Sequence, residues 1–451
     1  VVVAYESSKG NITIAVAGDA MITRRMSPFK EKQFLDLVNV IRNADASIVN
    51  IEMLFHNFEM SWNMKDTVSF QVSDPRNLEE LKWMGFDGVT TANNHSYDYS
   101  EGGFLTTLEF CEKFQLSHAG GGRNLDEARA PAYIDTAGGR VAIMGATTTF
   151  SDESRAGRGR PDFPGKPGLN ALRHDVIHHV TESAFQVLER VKIELGYQEE
   201  EDNKIRFTPF LGEKYVGEGK TKFLNGKFLK DQQFSVDTLC NKEDLQGIAH
   251  WIRGAGKAAD FLIYGTHCHE SGTEGEYHGG SRLSPPAFLR EFAHFAIDQG
   301  CHMFLAHGPH FLRGIEIYKN RPIFYSLGNF IFQNETVQRV PDQAYRGMGL
   351  SYEHTPGDWG LERSRGETVG FAADPVFYRS ALPVCRYEDG ELVDVLIYPI
   401  DLGFGQPMSQ RGRPVLADSR VAQDVLKWLQ AVSEPYGTDI EIKGNLGIIR
   451  V

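Results

Sequence analysis

Apolar, β-branched-rich runs alternate with amphipathic helical patterns along the first three quarters of this chain, and five of the runs end in short polar clusters. ITIAVA leads into Gly18-Asp19, ASIV into Asn50-Ile51-Glu52, and FDGVTTA into Asn93-Asn94-His95. DFLIYGT leads into His267-Cys268-His269-Glu270, and MFLA into His307-Gly308-Pro309-His310. Buried strands separated by helices such as FLDLVNVIRNA, NLEELKWMG and FLTTLEFCEKF specify an α/β architecture. Loops at the carboxyl ends of strands bring distant residues together while the strands hold them still. Asp, Glu, Asn and His recurring at those ends are what a metal centre or an acid/base site needs, and they mark the chain as an enzyme.

A length of 451 residues accommodates one large domain, or a large domain with an appendage. The net charge of -13 argues against a general nucleic-acid binder, which needs a basic surface. No apolar run reaches the roughly 18–20 residues of a membrane span. The start, VVVAYESSKGNITIAVAGDA, has no basic n-region, so no signal peptide is expected. Five scattered cysteines without a C-x-x-C pair fit a reducing compartment, so a cytoplasmic location is expected.

Asp74-Pro75 reads as the capped start of a helix and Gly85 as its stop. Residues 151–175 and 335–375 read as long loops, and 196–235 as an inserted β-hairpin or lid. From 376 onward, two or three strands and a helix near SRVAQDVLKWLQAV suggest a small α+β extension packed on the body.

Each cluster has a chemical and a structural reading. Asp19 is a metal ligand or base, or the cap of a following helix. Glu52 bridges cations or holds a catalytic imidazole, or is a surface residue. Asn94 offers a hard oxygen ligand and His95 a proton for a leaving group, with Asp98 placed to orient the ring. The bland alternative there is an Asn-rich turn. His267 and His269 project to one side of a continued strand, and His307 and His310 follow another buried strand as ligand and base. Arg158, Arg160, Lys166 and Arg173 form a clamp for an anionic substrate, or a solvated loop. Asn329, in Ser326-Leu327-Gly328-Asn329, reads as a turn cap. There is no G-x-S-x-G elbow, P-loop or H-E-x-x-H.

The ordered set GDAM, NIE, ANNHSYDY, AHGPH and YSLGNFIF, with PGKPGLNALR between, resembles the CapA family of capsule or poly-γ-glutamate synthesis proteins over about residues 12–335. That family shares the calcineurin-like metallophosphoesterase fold. The resemblance implies a four-layer α/β/β/α sandwich over 12–335, carrying the 196–235 insertion, with 336–451 as a C-terminal extension. It also implies a site for divalent metal (Mn, Fe or Zn). Asp19, Glu52, Asn94, His267, His269, His307 and His310 would be its ligands, and His95 the proton donor. The usual Asp-x-His motif has Met21 at its third position, Glu52 stands for a bridging aspartate, and the final histidine pair is respaced.

The function expected from the resemblance is metal-assisted hydrolysis or transfer on an anionic, peptide-like substrate. Some CapA-like enzymes encoded with lasso peptides are similar to this branch and epimerise a peptide residue without metal. Here Asp19 and His307 would be the acid/base pair, supported by His95 and Glu52. A non-catalytic component of a polymer synthase complex is the third expectation.

Overall fold

The structure, a computed structural model, describes residues 9–63, 69–208, 210, 215, 217–277, 280–281 and 283–451. The chain opens with β1 (Ile12–Met21), α1 (Lys32–Arg42), β2 (Ala46–Ile51), α2 (Pro75–Met84), β3 (Gly88–Thr90) and α3 (Ser100–Lys113). It continues through β4 (Gly139–Thr147), α4 (Lys242–Ala255), β5 (Phe261–His267), α5 (Ala287–Asp298) and β6 (Met303–His307). The last framework elements are β7 (Asn329–Phe332), β8 (Arg379–Glu388), β9 (Glu391–Asp401) and α6 (Ser419–Ser433).

Local chemistry sets the helix ends as expected. The Asp74 carboxylate accepts from the Arg76 N–H, Pro75 opens α2, and Gly85 closes it at φ 109°. A Cβ at Gly85 would also lie 2.8 Å from Arg42 Cγ, so the chain turns there only as glycine.

Two sheets form the frame. Among the described residues the larger has ten strands, with β9, β8, β1, β2 and β3 adjacent in that order and β7 also paired to β1. The smaller has six, with β6, β5 and β4 adjacent and parallel. Ile14, Val16 and Ile48 from one sheet pack on Ile143, Phe261, Ile263, Met303 and Leu305 from the other. The outer face of the large sheet is covered by α1 and α2 through Phe34, Leu37, Leu78 and Leu81. α4 and α5 cover the small sheet through Ile248, Ile252, Phe288 and Phe292. These are the four layers of an α/β/β/α sandwich, each closed by burying apolar side chains at about 1.5–3 kcal/mol apiece.

The 336–451 segment does not stand beside this frame. β8 runs antiparallel to β1 (Ile14 opposite Cys385), β9 follows it, and both belong to the ten-stranded sheet. Val421, Val425 and Leu429 of α6 enter the core between the sheets. The expected boundary at 335/336 is therefore not a break in the sheet: among the described residues, β2 and β8 are the partners of the first half of β1. The expected 196–235 hairpin is present as Lys220–Phe223 against Gly226–Asp231, within a larger unit. That unit adds the strands His174–Thr181 and Ser235–Cys240 and the helices Glu182–Glu194 and Tyr197–Phe207. The 335–375 loop contains the helices Asp342–Gly347 and Pro356–Arg363. No described helix is long and apolar enough to cross a membrane.

Candidate metal centre

Strand register explains how residues hundreds of positions apart meet. In the large sheet Asp19 lies opposite Asn50 on one side and Asn329 on the other, and Asn50 lies opposite Thr90. In the small sheet His267 is flanked by Thr147 and His307. Asp19, Asn50, Thr90, Thr147, His267 and His307 sit at the carboxyl ends of parallel strands, and Asn329 at the start of β7. A bulge aims Asp19: Val16 pairs with Ile48 but Asp19 with Asn50, so β1 carries one extra residue in between. Without it the alternation of the strand would present Gly18 to the site instead of Asp19. Gly18 itself allows β7's entry loop to approach, since a Cβ there would fall 1.9 Å from the Gly328 carbonyl oxygen. Asp19 N–H donates to that oxygen at 3.0 Å.

Two groups of three converge here. Asp19, His267 and His307 form one, Glu52, His269 and His310 the other, and within each group the ligand atoms lie within 4.8 Å of one another. In the first, His267 Nδ1 and His307 Nδ1 are 2.9 Å apart, and Asp19 Oδ1 is 3.4 Å from His307 and 3.6 Å from His267. Ligands at about 2.0–2.1 Å around a tetrahedral ion are separated by roughly 3.3 Å, close to this spacing. In the second, Glu52 Oε1 is 3.6 Å from His269 Nε2, and the His310 ring approaches Glu52 Oε2 to 3.6 Å through Nδ1, the nitrogen that Asn329 engages. His267 Nε2, also 3.6 Å from Glu52 Oε1, joins the two groups.

The electrostatics suit a cation. Both Glu52 oxygens and Nε2 of His267 and His269 are buried with no hydrogen-bond partner among the described residues. Polar atoms left so cost about 1–3 kcal/mol each, more when charged, unless something satisfies them. Burial, then the neighbouring Asp19 and Asp98, hold the Glu52 carboxyl well above the usual carboxylate range. Burial pulls His307 and His310 down to about 3 and His269 to about 4, and takes His267 well below its ordinary value. Neutral imidazoles are the form that ligates metal. The donor set of imidazoles and carboxylates is that of Zn, Fe or Mn.

Neighbours hold these groups still. Asn50 Nδ2 donates to Asp19 Oδ1 at 2.7 Å, and the Gly308 N–H to Asp19 Oδ2 at 3.0 Å. Thr90 Oγ1 donates to Asn50 Oδ1 at 3.0 Å. Asn329 is no turn cap: its Nδ2 donates to the carbonyls of His310 and Phe377, which turns Oδ1 toward His310 Nδ1 at 2.9 Å. An amide oxygen only accepts, so Nδ1 carries the His310 proton and Nε2 the lone pair. His310 also takes φ 64°, a strained conformation of the kind found at functional positions.

His95 is buried beside the groups, with Nδ1 2.7 Å from Asp98 Oδ2. The Gln71 N–H donates to the same oxygen at 2.6 Å. Asn93 ties this loop to β2 by donating to the Ile51 carbonyl at 2.7 Å, and Asn94 is half-buried beside it. Glu270 is engaged elsewhere, accepting from the hydroxyls of Thr148 and Thr149 at 2.7 and 2.9 Å. Met21 sits in the apolar core under the helices and offers nothing to the site.

The basic loop is not gathered into the site. Arg158 pairs with Asp126, and Arg160 with Asp162, both largely exposed. Lys166 donates to backbone carbonyls, including Pro167 at 3.0 Å. Arg173 is locked to Asp244, which also takes Arg129. These four cations already have partners because the loop folds back on itself and on α4.

The family model for the bacterial capsule synthesis protein PGA_cap matches residues 13–334. The uncharacterized protein y4sH of Sinorhizobium fredii is 32% identical over 453 residues, covering 97% of this chain and 93% of its own. The capsule biosynthesis protein CapA of Bacillus anthracis is 22% identical over 329 residues, 71% of this chain and 60% of its own. The PGA biosynthesis protein CapA of Bacillus subtilis is 22% identical over 327 residues, 71% and 63%.

Proposed function

The chain belongs to the bacterial capsule synthesis PGA_cap family, whose fold is metallophosphoesterase-like, and on that premise we propose that it is a hydrolase or transferase acting with divalent metal on an anionic, peptide-like substrate. The observation that carries this reading is the pair of buried His/carboxylate groups sharing one focus at the strand ends. Asp19, His267 and His307 would hold one cation, and Glu52, His269 and His310 a second, with Asn94 beside them. A bound divalent cation supplies Lewis-acid polarisation of a carbonyl or phosphoryl oxygen. His95, its Nδ1 on Asp98, passes a proton from its other nitrogen to the leaving group, and Asp98 stabilises the charged ring. Asn329 keeps the His310 ring in one tautomer.

Turnover of acidic peptides and phosphoesters tests this. Activity should vanish on chelation and return with Mn, Fe or Zn, and His95→Ala should lower kcat by about 10²–10⁴-fold. Undiminished turnover in chelated protein contradicts it.

A second reading has its own observation: Asn50 and Gly308 already satisfy both Asp19 oxygens without a cation, and Met21 adds no ligand. Asp19 and His307, supported by His95 and Glu52, would then epimerise a peptide residue. A base and an acid on opposite faces of an α-carbon, each within about 3–3.5 Å, stand roughly 6 Å or more apart. Asp19 and His307 lie 3.4 Å apart, so this reading requires them to separate around the substrate. Metal-free exchange of a substrate α-proton with deuterium, lost in Asp19→Asn, supports epimerisation and sinks hydrolysis. If Asp19→Asn and His307→Ala both leave function intact, neither scheme stands.

A further inference from the structure

Four arginines and lysines singled out by sequence have hydrogen-bonding or ionic partners, but Arg363, a cation near the site, has no hydrogen bond or ion pair among the described residues. Arg363 closes the helix Pro356–Arg363, which is started by a capping box between Thr355 and Asp358 and anchored by the buried Trp359. The Arg363 guanidinium lies 5.3 Å from the Trp359 ring centroid and 5.8 Å from that of Phe371. Phe371 in turn packs edge-on against the His310 imidazole, centroids 5.2 Å apart at 82°. A single ring thus separates the guanidinium from a member of the second group. Glu335, the acid whose charge acts on Arg363, is held by Arg411 at 2.7 Å. Among the described residues the Arg363 side chain makes no hydrogen bond and no ion pair, and it is half-buried. The indole N–H of Trp359 beneath it is also buried without an acceptor.

An arginine stacked on two aromatic faces has lost much of its rotamer freedom and part of its hydration, while its planar fork stays unused. That is a preorganised receptor for an oxyanion. All of these parts except His310 come from residues beyond 334, where the family match ends.

We propose that Arg363 binds a carboxylate of the substrate beside the paired His/carboxylate groups, making 356–371 a specificity-determining segment. This rests on the reaction being placed at those groups. It commits to a carboxylate because the substrate proposed is peptide-like.

Ligand-detected NMR titration of the full chain with trialanine, trialanine amide and inorganic phosphate tests it. Wild type should prefer the free acid over the amide by about tenfold, the value of one charge-assisted hydrogen bond. Arg363→Gln should erase that preference, as should Arg363→Met, which keeps the apolar stem on Trp359. Arg363→Lys should retain part of it. A preference that persists in either neutral variant overturns the assignment. So does a wild type that binds phosphate but treats acid and amide alike. Metal content of the same samples separates the two claims. Metal-free protein with an Arg363-dependent preference sinks the metal reading alone, and metal-loaded protein whose preference ignores Arg363 sinks this one alone.

Discussion

At the scale of single residues, Asp19 reaches the site because Gly18 lets the backbone irregularity form. Gly18→Ala places a methyl into the Gly328 carbonyl. It should cost at least the upper end of ~1–3 kcal/mol, read as a lowered denaturation midpoint with unchanged slope. A midpoint equal to wild type would show that β1 and β7 do not depend on this approach. His302, away from the site, carries a pH prediction. Burial, Arg321 and Lys9 pull its pKa to about 3, against an ordinary value of 6.5. The unfolded chain therefore takes up a proton that the folded chain refuses. The stability this represents is present above about pH 6.5 and is lost as pH falls toward 3, amounting to about 2 kcal/mol at pH 5. His302→Asn should flatten the pH 7-to-5 loss by that amount in denaturant titrations; an equal loss in both proteins contradicts the sign. Asp19, Glu52, His95, His267, His269, His307 and His310 are legible in the sequence because each polar residue breaks an apolar run. The holding roles of Asn50, Thr90 and Asn329 are not, since an amide or hydroxyl at a strand end looks like turn chemistry. Only register shows that Asn50, held by Thr90, grips Asp19 and that Asn329 grips His310.

At the scale of elements, period and punctuation place α2, β5 and β6 well, because Asp74, Gly85 and unbroken apolar runs are local signals. β8 carries no local sign of its partner. Its pairing with β1 joins the two ends of the chain, which hydrophobic alternation alone does not specify. The helix Tyr197–Phe207 was hidden for a different reason: it is polar nearly all round, with no buried face to give a 3.6-residue pattern. The sheet topology makes a prediction at this scale. A chain truncated after 334, keeping all of the family-matched region, loses β8, β9 and α6 and leaves the first half of β1 and the inter-sheet core open. It should fail to fold cooperatively, seen as loss of a sharp thermal transition by circular dichroism. A cooperative, soluble truncated chain would make 335–451 the separable extension that its position after the matched region suggests.

At the scale of the whole molecule, two mixed sheets packed face to face aim the carboxyl ends of their central parallel strands at one point. The large sheet brings Asp19 and Glu52, the small sheet His267 and His307, and the following loops His269 and His310. Two carboxylates and four imidazoles gathered at one focus, all but His269 buried, are costly without a cation, because the Glu52 carboxyl resists ionising and every ring resists protonation. The central claim is that this focus exists to hold metal. Its most direct measurement is elemental analysis of the full chain purified without chelator from cells supplied with Mn, Fe and Zn. The structure predicts close to two divalent ions per chain, falling to one or fewer in Glu52→Gln. Folded wild-type protein that carries no metal, and whose thermal transition does not move when these metals are added, would contradict it.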